Sequence, residues 1–339
     1  MSATSQLTDF SDLFTDLQNR VRGQTGVTAT ENQAKRYVNI GLYDMHVGFD
    51  YRFPWAERHG RLIVRPTYTT GTVSIDRGST TLTGSSTAWT TTDDFSIANA
   101  RANGKVTIAG GRTPYVVSSV GGAGTITLTS RFTEDDVAAG SAYVYFEDEY
   151  DLASDFLRPV DAQTFSDECS IDLISRTEFR RRYPMNSTPG RPLIACIMDY
   201  APSGNTAPIR RVRFNRPSST AMNVPYSYIT ANLAVSSGGT AQTNLSATTD
   251  EPIVPLRYRH AIVLHALYNW YRDRKDDTRS QEVKAEYTDL MLRIAGDFDI
   301  GSNRPQIKPR VSHYARAARR PWRGGGGNYD INGKFDRME

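Results

Sequence analysis

The apolar residues near the start of the chain recur at helical spacing. Between Phe10 and Val21 they fall three or four positions apart, which predicts a short amphipathic helix. Thr28 and Glu31 form a capping-box pattern, so a second helix is expected to begin there. The apolar face of this second helix includes Gly41, which is small enough to let a neighbouring element approach closely. We expect that neighbour to be another helix.

From about Pro66 to Phe146 the pattern changes to alternating β-branched residues among Thr, Ser and Gly. Runs such as TVSI, KVTI and TITLT indicate short strands, and Gly-containing turns separate them. Strands of this length and spacing are typical of a small barrel or sandwich. Because helical periodicity precedes this stretch and returns only after Pro255, the pattern predicts a β module inserted into a larger domain. The ends of such a module should lie close together.

The remaining part of the predicted core mixes short strands with two helices. The runs SIDLIS, LIACIMDY, IRRVRF and YSYIT lie between Pro, Gly and Asn clusters and predict a second, irregular sheet. The stretch from Arg257 to Lys275 is nearly all apolar in its middle, which is typical of a helix buried against several neighbours. Thr278 and Gln281 cap a further amphipathic helix, so a helical hairpin is expected here.

Beyond Gly301 the helical pattern ends in Pro, Arg, Gly and Asn, and no acidic residue occurs between Arg304 and Arg323. This composition is typical of an extended segment that becomes ordered on a partner. Docking on another protein is the favoured interpretation, and a disordered tail or nucleic-acid binding remain open. The contacts are expected from Arg304, Lys308, Arg310, Tyr314, Arg316, Arg319, Arg320, Trp322 and Arg323.

Together these patterns predict an α+β fold. A helical bundle, made of the two N-terminal helices and the C-terminal hairpin, would carry a β-sheet segment, an inserted small β-barrel or sandwich module and an extended C-terminal arm. The expected divisions are 1–64 for the N-terminal helices of the core, 65–150 for the β module, 151–300 for the rest of the core and 301–339 for the basic arm.

Composition narrows the functional classes. The 339 residues are 38% hydrophobic, and a formal charge of +3 is too small for nucleic-acid binding over the whole surface. The longest apolar run, Ala261 to Tyr271, is far shorter than the roughly 18 residues of a membrane span. The N-terminus lacks the pattern of a secretion signal, so we expect folding in the cytoplasm. Cys169 and Cys196 are expected to be buried, reduced thiols.

No sequence motif for a metal, a nucleophile or a phosphate loop is present, so neither an enzyme nor a cofactor is expected. His260 and His265 are five positions apart on a helix and should point to different faces. A sugar hydrolase with Trp89 as a sugar platform is the least favoured alternative. One acidic cluster lacks the spacing of a calcium loop and is interpreted as a solvated loop. It contains Glu147, Asp148, Glu149, Asp151 and Asp155.

The order of these segments resembles the head-to-tail connector (adaptor) proteins of tailed bacteriophages. The runs VSIDRGSTTLTGSSTAWT, KVTI, PYVVSSV, TITLTSRF and YVYFEDEYDLASDF are similar to the inserted module of some tail-tube-type adaptors. Three further segments of the chain are similar to the core of these adaptors. They are RTEFRRRYP, RVRFNRPSS followed by VPYSYI, and EPIVPLRYRHAIVLHALYNWYRD followed by the next helix with Glu282 and Glu286.

The resemblance implies a structural protein of the virion neck, made in the host cytoplasm. About twelve copies would form a ring beneath the portal, continue the DNA channel and offer a platform for tail assembly. The implied partners are the portal protein, tail, nozzle or stopper proteins, other copies of this chain, and genomic DNA that passes through the lumen without specific binding; no membrane is implied. The arm from Arg304 onward would reach onto the portal.

Acidic side chains that face the lumen would repel DNA during ejection, and Glu147, Asp148, Glu149 and Asp151 are the candidates. The alternative hypothesis is a β-module protein that binds carbohydrate or nucleic acid and carries a basic tail.

Overall fold

The computed structural model describes residues 6–21, 28–48, 52–93, 96–111, 113–160, 171–183, 187–200 and 209–298, and the backbone of two short strands near the C-terminus. The helices are α1 (Phe10–Arg20), α2 (Thr28–Val47), α3 (Arg176–Arg182), α4 (His260–Asp273) and α5 (Asp277–Phe298). The strands are β1 (Glu57–Val64), β2 (Thr72–Ile75), β3 (Thr81–Ser85), β4 (Lys105–Ile108), β5 (Tyr115–Gly122), β6 (Thr125–Leu128), β7 (Val137–Ser141), β8 (Tyr143–Phe146), β9 (Glu149–Asp151), β10 (Phe156–Pro159), β11 (Asp172–Leu173), β12 (Ile194–Tyr200), β13 (Ile209–Phe214), β14 (Met222–Thr230), β15 (Ala234–Val235), β16 (Ala241–Gln242), β17 (Glu251–Pro252), β18 (Gly327–Tyr329) and β19 (Phe335–Arg337).

The predicted fold class, a helical bundle with an inserted β module, is wrong. Over the described residues the protein is mostly β-sheet, arranged as several antiparallel sheets and a half-barrel, with five α-helices. The difference arises where the sequence shows little periodicity. Strand β1, placed in the helical N-terminal part by the prediction, pairs along its whole length with β14, from Glu57 opposite Ile229 to Val64 opposite Met222. Such pairing joins residues far apart in sequence, which local patterns do not reveal.

Seven strands form one antiparallel sheet in the order β7-β2-β3-β6-β5-β4-β8, and this sheet has its own apolar core. Val73 and Ile75 of β2 are buried, as the alternating pattern predicts. Gly78, in the turn after β2, has φ +84°, which glycine adopts without steric cost. The ends of this stretch do lie close together, because the backbones of Tyr68 and Tyr145 exchange hydrogen bonds of 2.8 and 2.9 Å.

Two further sheets share a second core. One has the order β1-β14-β10 and the other β11-β12-β13-β9. Their inward residues pack together and include Val64, Val212 and Val224, which are fully buried. Gly60 of β1 lies against the ring of Tyr226, and a Cβ at this position would be 2.3 Å from the ring. The two sheets therefore form one apolar body.

Helices α1, α2, α4 and α5 lie near the predicted positions, whereas α3 lies in a stretch for which only an irregular sheet was predicted. Helices α1 and α2 both contact α4, whose residues from Ala261 to Leu267 are buried. Gly41 allows the close approach that the sequence predicts, since a Cβ there would lie 2.7 Å from the carbonyl oxygen of Ile262. The partner of α2 is thus a helix, and it is α4.

The chain divides into two compact units, 1–291 and 292–339, and β18 pairs antiparallel with β19 in the second. Within the described ranges, no helix combines the length and the apolar composition that crossing a membrane requires. Cys196 is a free, buried cysteine, as expected, and Cys169 lies outside the described residues.

Candidate functional site

A network of buried ion pairs lies where β4 and β8 of the seven-stranded sheet meet β9 and β13. The Lys105 ammonium donates to both carboxylate oxygens of Asp148, at 2.6 and 2.9 Å, and to Glu149 at 3.0 Å. Arg213 approaches the same acids from β13, with its Nε 3.2 Å from Asp148 and 3.7 Å from Glu149. The side chains of Lys105 and Asp148 are only 12% and 5% exposed. We call these four residues and the Arg101–Glu147 and Arg211–Asp151 pairs the charged joint.

The pair of Arg101 and Glu147 extends the charged joint toward the loop that precedes β4. The Arg101 guanidinium donates through Nε to Glu147 at 3.0 Å and through Nη2 to its second oxygen. The Tyr145 hydroxyl donates to the same carboxylate at 2.7 Å. The hydrogen bonds to Glu147 raise the pKa of Arg101, while burial and the nearby carboxylate raise the pKa of Tyr145. Both groups therefore keep their protons, and they act as hydrogen-bond donors.

The acidic cluster is not a solvated loop, so that interpretation of the sequence is wrong. Glu147 and Asp148 are buried, and Asp151 pairs with the Nε of Arg211 across the β9–β13 ladder. Asp155 accepts hydrogen bonds from the Tyr228 hydroxyl at 2.7 Å and from Thr230 at 2.6 Å. The chain satisfies each of these carboxylates internally. The prediction that Glu147, Asp148, Glu149 and Asp151 face a DNA channel concerns an assembly of several subunits. It stays a prediction.

A cavity of about 420 Å³ opens beside the charged joint. Its walls come from β1, at Arg61 and Leu62, from the loop that contains Asn103, and from the acids Glu149 and Asp151. The wall chemistry is mixed, with both guanidinium and carboxylate groups. Among the residues that the structure describes, no group of His, Cys, Asp and Glu side chains is arranged to hold a metal ion. The arrangement can hold strands together, and it can receive polar groups at its edge.

The histidines occupy separate helix contacts, as their spacing predicts. His260 Nδ1 lies 3.5 Å from a guanidinium nitrogen of Arg20, whereas His265 Nε2 lies 3.6 Å from a carboxylate oxygen of Asp44. Asn269 donates to Nδ1 of His265 at 3.1 Å. Burial lowers the pKa of both imidazoles. Both side chains therefore contribute to helix packing in the neutral form.

Two further candidates of the sequence lie in the interior. Trp89 is fully buried, and its indole donates to the Tyr143 hydroxyl at 2.9 Å, so the idea of a sugar platform at Trp89 is wrong. Burial raises the pKa of the Cys196 thiol to about 11, which makes it unreactive. The nine arm residues from Arg304 to Arg323 lie outside the described residues.

The basic members of the charged joint were not predicted from the sequence. Arg211 and Arg213 alternate with Val212 and Phe214 in β13, so the two guanidinium groups share one face of the strand while the apolar side chains share the other. This period-two pattern of charge was the available signal. Lys105 carried no such signal, because a single lysine at the start of a strand is common and does not indicate a buried ion pair.

Comparison with known proteins adds no assignment: no protein-family model matches the chain, and no curated protein matches it in sequence. The order of segments and the geometry of the charged joint are therefore the basis for a functional proposal.

Proposed function

We propose that this chain is a structural virion protein, a head-to-tail adaptor that forms a ring of about twelve copies between the portal and the tail of a tailed bacteriophage. The ring would extend the DNA channel and serve as the platform on which the tail attaches. The order of segments along the chain, with its basic C-terminal arm, supports the phage assignment. The charged joint is the observation that carries a structural role for the subunit.

The charged joint connects elements that apolar packing alone leaves in separate cores. Lys105 belongs to the seven-stranded sheet, whereas Arg213 belongs to the four-stranded sheet, and both bind Asp148. Ion pairs with several hydrogen bonds have directional geometry, so they resist sliding of one sheet against the other. A subunit that holds its shape while DNA passes under pressure requires this resistance. The charged joint thus holds the seven-stranded sheet to the four-stranded sheet.

One face of α2 supports the formation of a ring. Tyr43 and Val47 lie one turn apart and are 52% and 39% exposed, whereas Leu42 and Met45 are buried against the protein's own core. A ring requires two different faces that meet between neighbouring subunits. We assign the Tyr43–Val47 face to one side of that contact.

An assembly experiment tests the proposal. The full chain is mixed with portal rings of the same virus and imaged by electron microscopy. We expect a second ring, of the same rotational symmetry, at one end of each portal. Tyr43→Asp/Val47→Asp should prevent ring formation with little effect on folding, because both side chains are already exposed. Val116→Asp, at a comparably exposed apolar residue of β5, is the matched control and should assemble normally. Failure of the unaltered chain to bind portal rings would overturn the proposal.

A further inference from the structure

Helix α3 carries a concentration of arginines that the charged joint does not use. Four of its seven residues are arginines, at 176, 180, 181 and 182, and one residue, Glu178, is acidic. Glu178 pairs with Arg182 at 2.9 Å. Arg176, Arg180 and Arg181 are exposed and have no carboxylate partner among the described residues. Like charges so close together repel, so a partner of opposite charge would stabilise this arrangement.

Helix α3, which carries these arginines, is fixed by an N-terminal cap and by a buried aromatic side chain. The Ser175 side chain accepts a hydrogen bond from the Glu178 backbone at 3.3 Å and caps the first turn. Phe179 is buried, and its ring lies 5.6 Å from the Tyr183 ring and 5.6 Å from the Arg213 guanidinium. Arg213 is already neutralised by Asp148. The contact between Phe179 and Arg213 therefore brings no unpaired carboxylate to the arginines of α3.

The helix dipole explains only part of this pattern. Cations are favoured in the last turn of a helix, where Arg180, Arg181 and Arg182 lie. Arg176 lies in the first turn, where the positive end of the dipole disfavours a cation. The charge of α3 is thus greater than helix stability requires.

We propose that α3 binds the phosphate backbone of a nucleic-acid duplex without sequence preference. Guanidinium groups bind phosphate oxygens in bidentate fashion and keep their charge at any physiological pH. The exposed residues of α3 are arginines and Thr177, with no apolar side chain among them. Contacts between proteins usually have an apolar centre, whereas backbone contacts to nucleic acids are dominated by charge. The chemistry therefore favours phosphate over an acidic protein surface.

This inference does not depend on the ring proposal, since binding by the free chain suffices. In an adaptor, α3 would provide a sequence-independent contact for the passing DNA. If the chain proves not to assemble with a portal, the phosphate contact remains measurable on its own.

The test measures binding of the full chain to a fluorescein-labelled DNA duplex of mixed sequence by fluorescence anisotropy, at salt concentrations from about 50 to about 200 mM. The variant is Arg176→Gln/Arg180→Gln/Arg181→Gln. The matched control, Arg36→Gln/Arg77→Gln/Arg131→Gln, removes the same charge from exposed positions scattered over the chain. All proteins keep the basic arm, so a difference between the two variants belongs to α3. Thermal melting confirms that both remain folded.

We expect the α3 variant to bind the duplex more than about tenfold more weakly at about 100 mM salt, and the control less than about threefold more weakly. The slope of log affinity against log salt should fall by about 0.9 for each phosphate that is no longer bound, or about 2.7 for three phosphates. Equal affinity and slope in the two variants would overturn the inference, as would failure of the unaltered chain to bind the duplex. Competition by polyglutamate as effective as unlabelled duplex at equal charge would assign α3 to an acidic protein and would also overturn it.

Discussion

At the level of single residues, the charged joint shows how carboxylates are stabilised away from water. Burying an unpaired carboxylate costs several kcal/mol, and this cost is offset only where several donors meet the group. Asp148 receives two contacts from the Lys105 ammonium and one from Arg213. Lys105 in turn binds Glu149. Each group therefore requires the others, and removal of one leaves buried charge behind.

Lys105→Met tests this dependence. The substitution leaves Asp148 buried with one cation fewer, so the free energy of unfolding should fall by about 3–5 kcal/mol. Denaturation in urea measures it. Arg77→Met is the control, because Arg77 and Asp135 pair at 3.8 Å on the surface, and its midpoint should match that of the unaltered protein. Equal shifts in the two variants would contradict a structural role for the charged joint.

His46 makes stability depend on pH. Its Nδ1 donates to the Leu42 carbonyl at 2.8 Å, and its Nε2 accepts a hydrogen bond from the Trp55 indole at 3.0 Å. The contact with Trp55 requires the neutral ring, because a protonated Nε2 cannot accept. Burial lowers the pKa of His46 from 6.5 to about 4. The unfolded chain therefore takes up the proton first as the pH falls. The stability linked to His46 is complete above about pH 6.5 and is lost progressively down to about pH 4.

Urea unfolding measured from about pH 8 to about pH 4 should show this loss, which amounts to up to about 3 kcal/mol from His46. His46→Gln should flatten the curve between pH 6.5 and about pH 4 relative to the unaltered protein. His59→Gln, which removes an exposed histidine, is the matched control for the loss of an imidazole. The same steepness in His46→Gln as in the unaltered protein would show that the proton is bound elsewhere.

At the level of elements, the contact of α2 with α4 depends on the absence of a side chain at Gly41. An added Cβ would lie 2.7 Å from the Ile262 carbonyl oxygen and 3.4 Å from the Ala266 nitrogen. These are backbone atoms of a helix, which cannot move aside without shifting α4. The gain in helix propensity from alanine, about 1 kcal/mol, is therefore outweighed by the clash.

Gly41→Ala should lower the free energy of unfolding by about 1–3 kcal/mol, measured by urea denaturation. Gly296→Ala is the matched control in α5, since its added Cβ meets no atom within 4 Å among the described residues. That variant should be as stable as the unaltered protein, or more stable by up to about 1 kcal/mol. A stabilised Gly41→Ala would show that the two helices lie farther apart.

Helices α1, α2, α4 and α5 could be predicted from the sequence because their signals are local, whereas the short helix α3 was missed. Within α1 and within α4 the periodic apolar residues are only three or four positions apart, and the capping-box pattern at the start of α2 spans only Thr28 to Glu31. The pairing of strands into sheets could not be predicted from the sequence. Strand β1 pairs with β14, and the whole seven-stranded sheet lies between these two strands in the sequence. The candidate site follows the same rule. Its acids are adjacent in sequence and form a visible cluster, whereas Lys105 and Arg213 reach them only through folding.

At the level of the whole molecule, we assign different roles to the first compact unit, 1–291, called the body, and to the basic arm, 301–339. The sheets of the first unit are joined by the charged joint, and the basic residues from Arg304 onward are assigned to the portal by resemblance. Exposed charge contacts weaken as salt rises. Docking through the arm should therefore be sensitive to salt, while the fold of the body should be much less so.

Deletion of Arg304 to Glu339 should leave the unfolding transition of the remaining chain unchanged and should abolish binding to portal rings. A full-length variant with glutamine at the seven basic arm positions from Arg304 to Arg323 separates charge from length, and it should also fail to bind. Co-sedimentation with portal rings at about 50 and about 300 mM salt measures both variants. Binding that survives the loss of the arm, or a loss of helicity on deletion, would contradict this division of roles.

We propose that the chain is a structural part of the phage neck. Absolute quantitation by mass spectrometry, with labelled peptide standards, of this chain and of portal and capsid subunits in purified particles tests it most directly. We predict about one copy of this chain for each portal subunit. A much lower ratio, or absence from the particle, would contradict it.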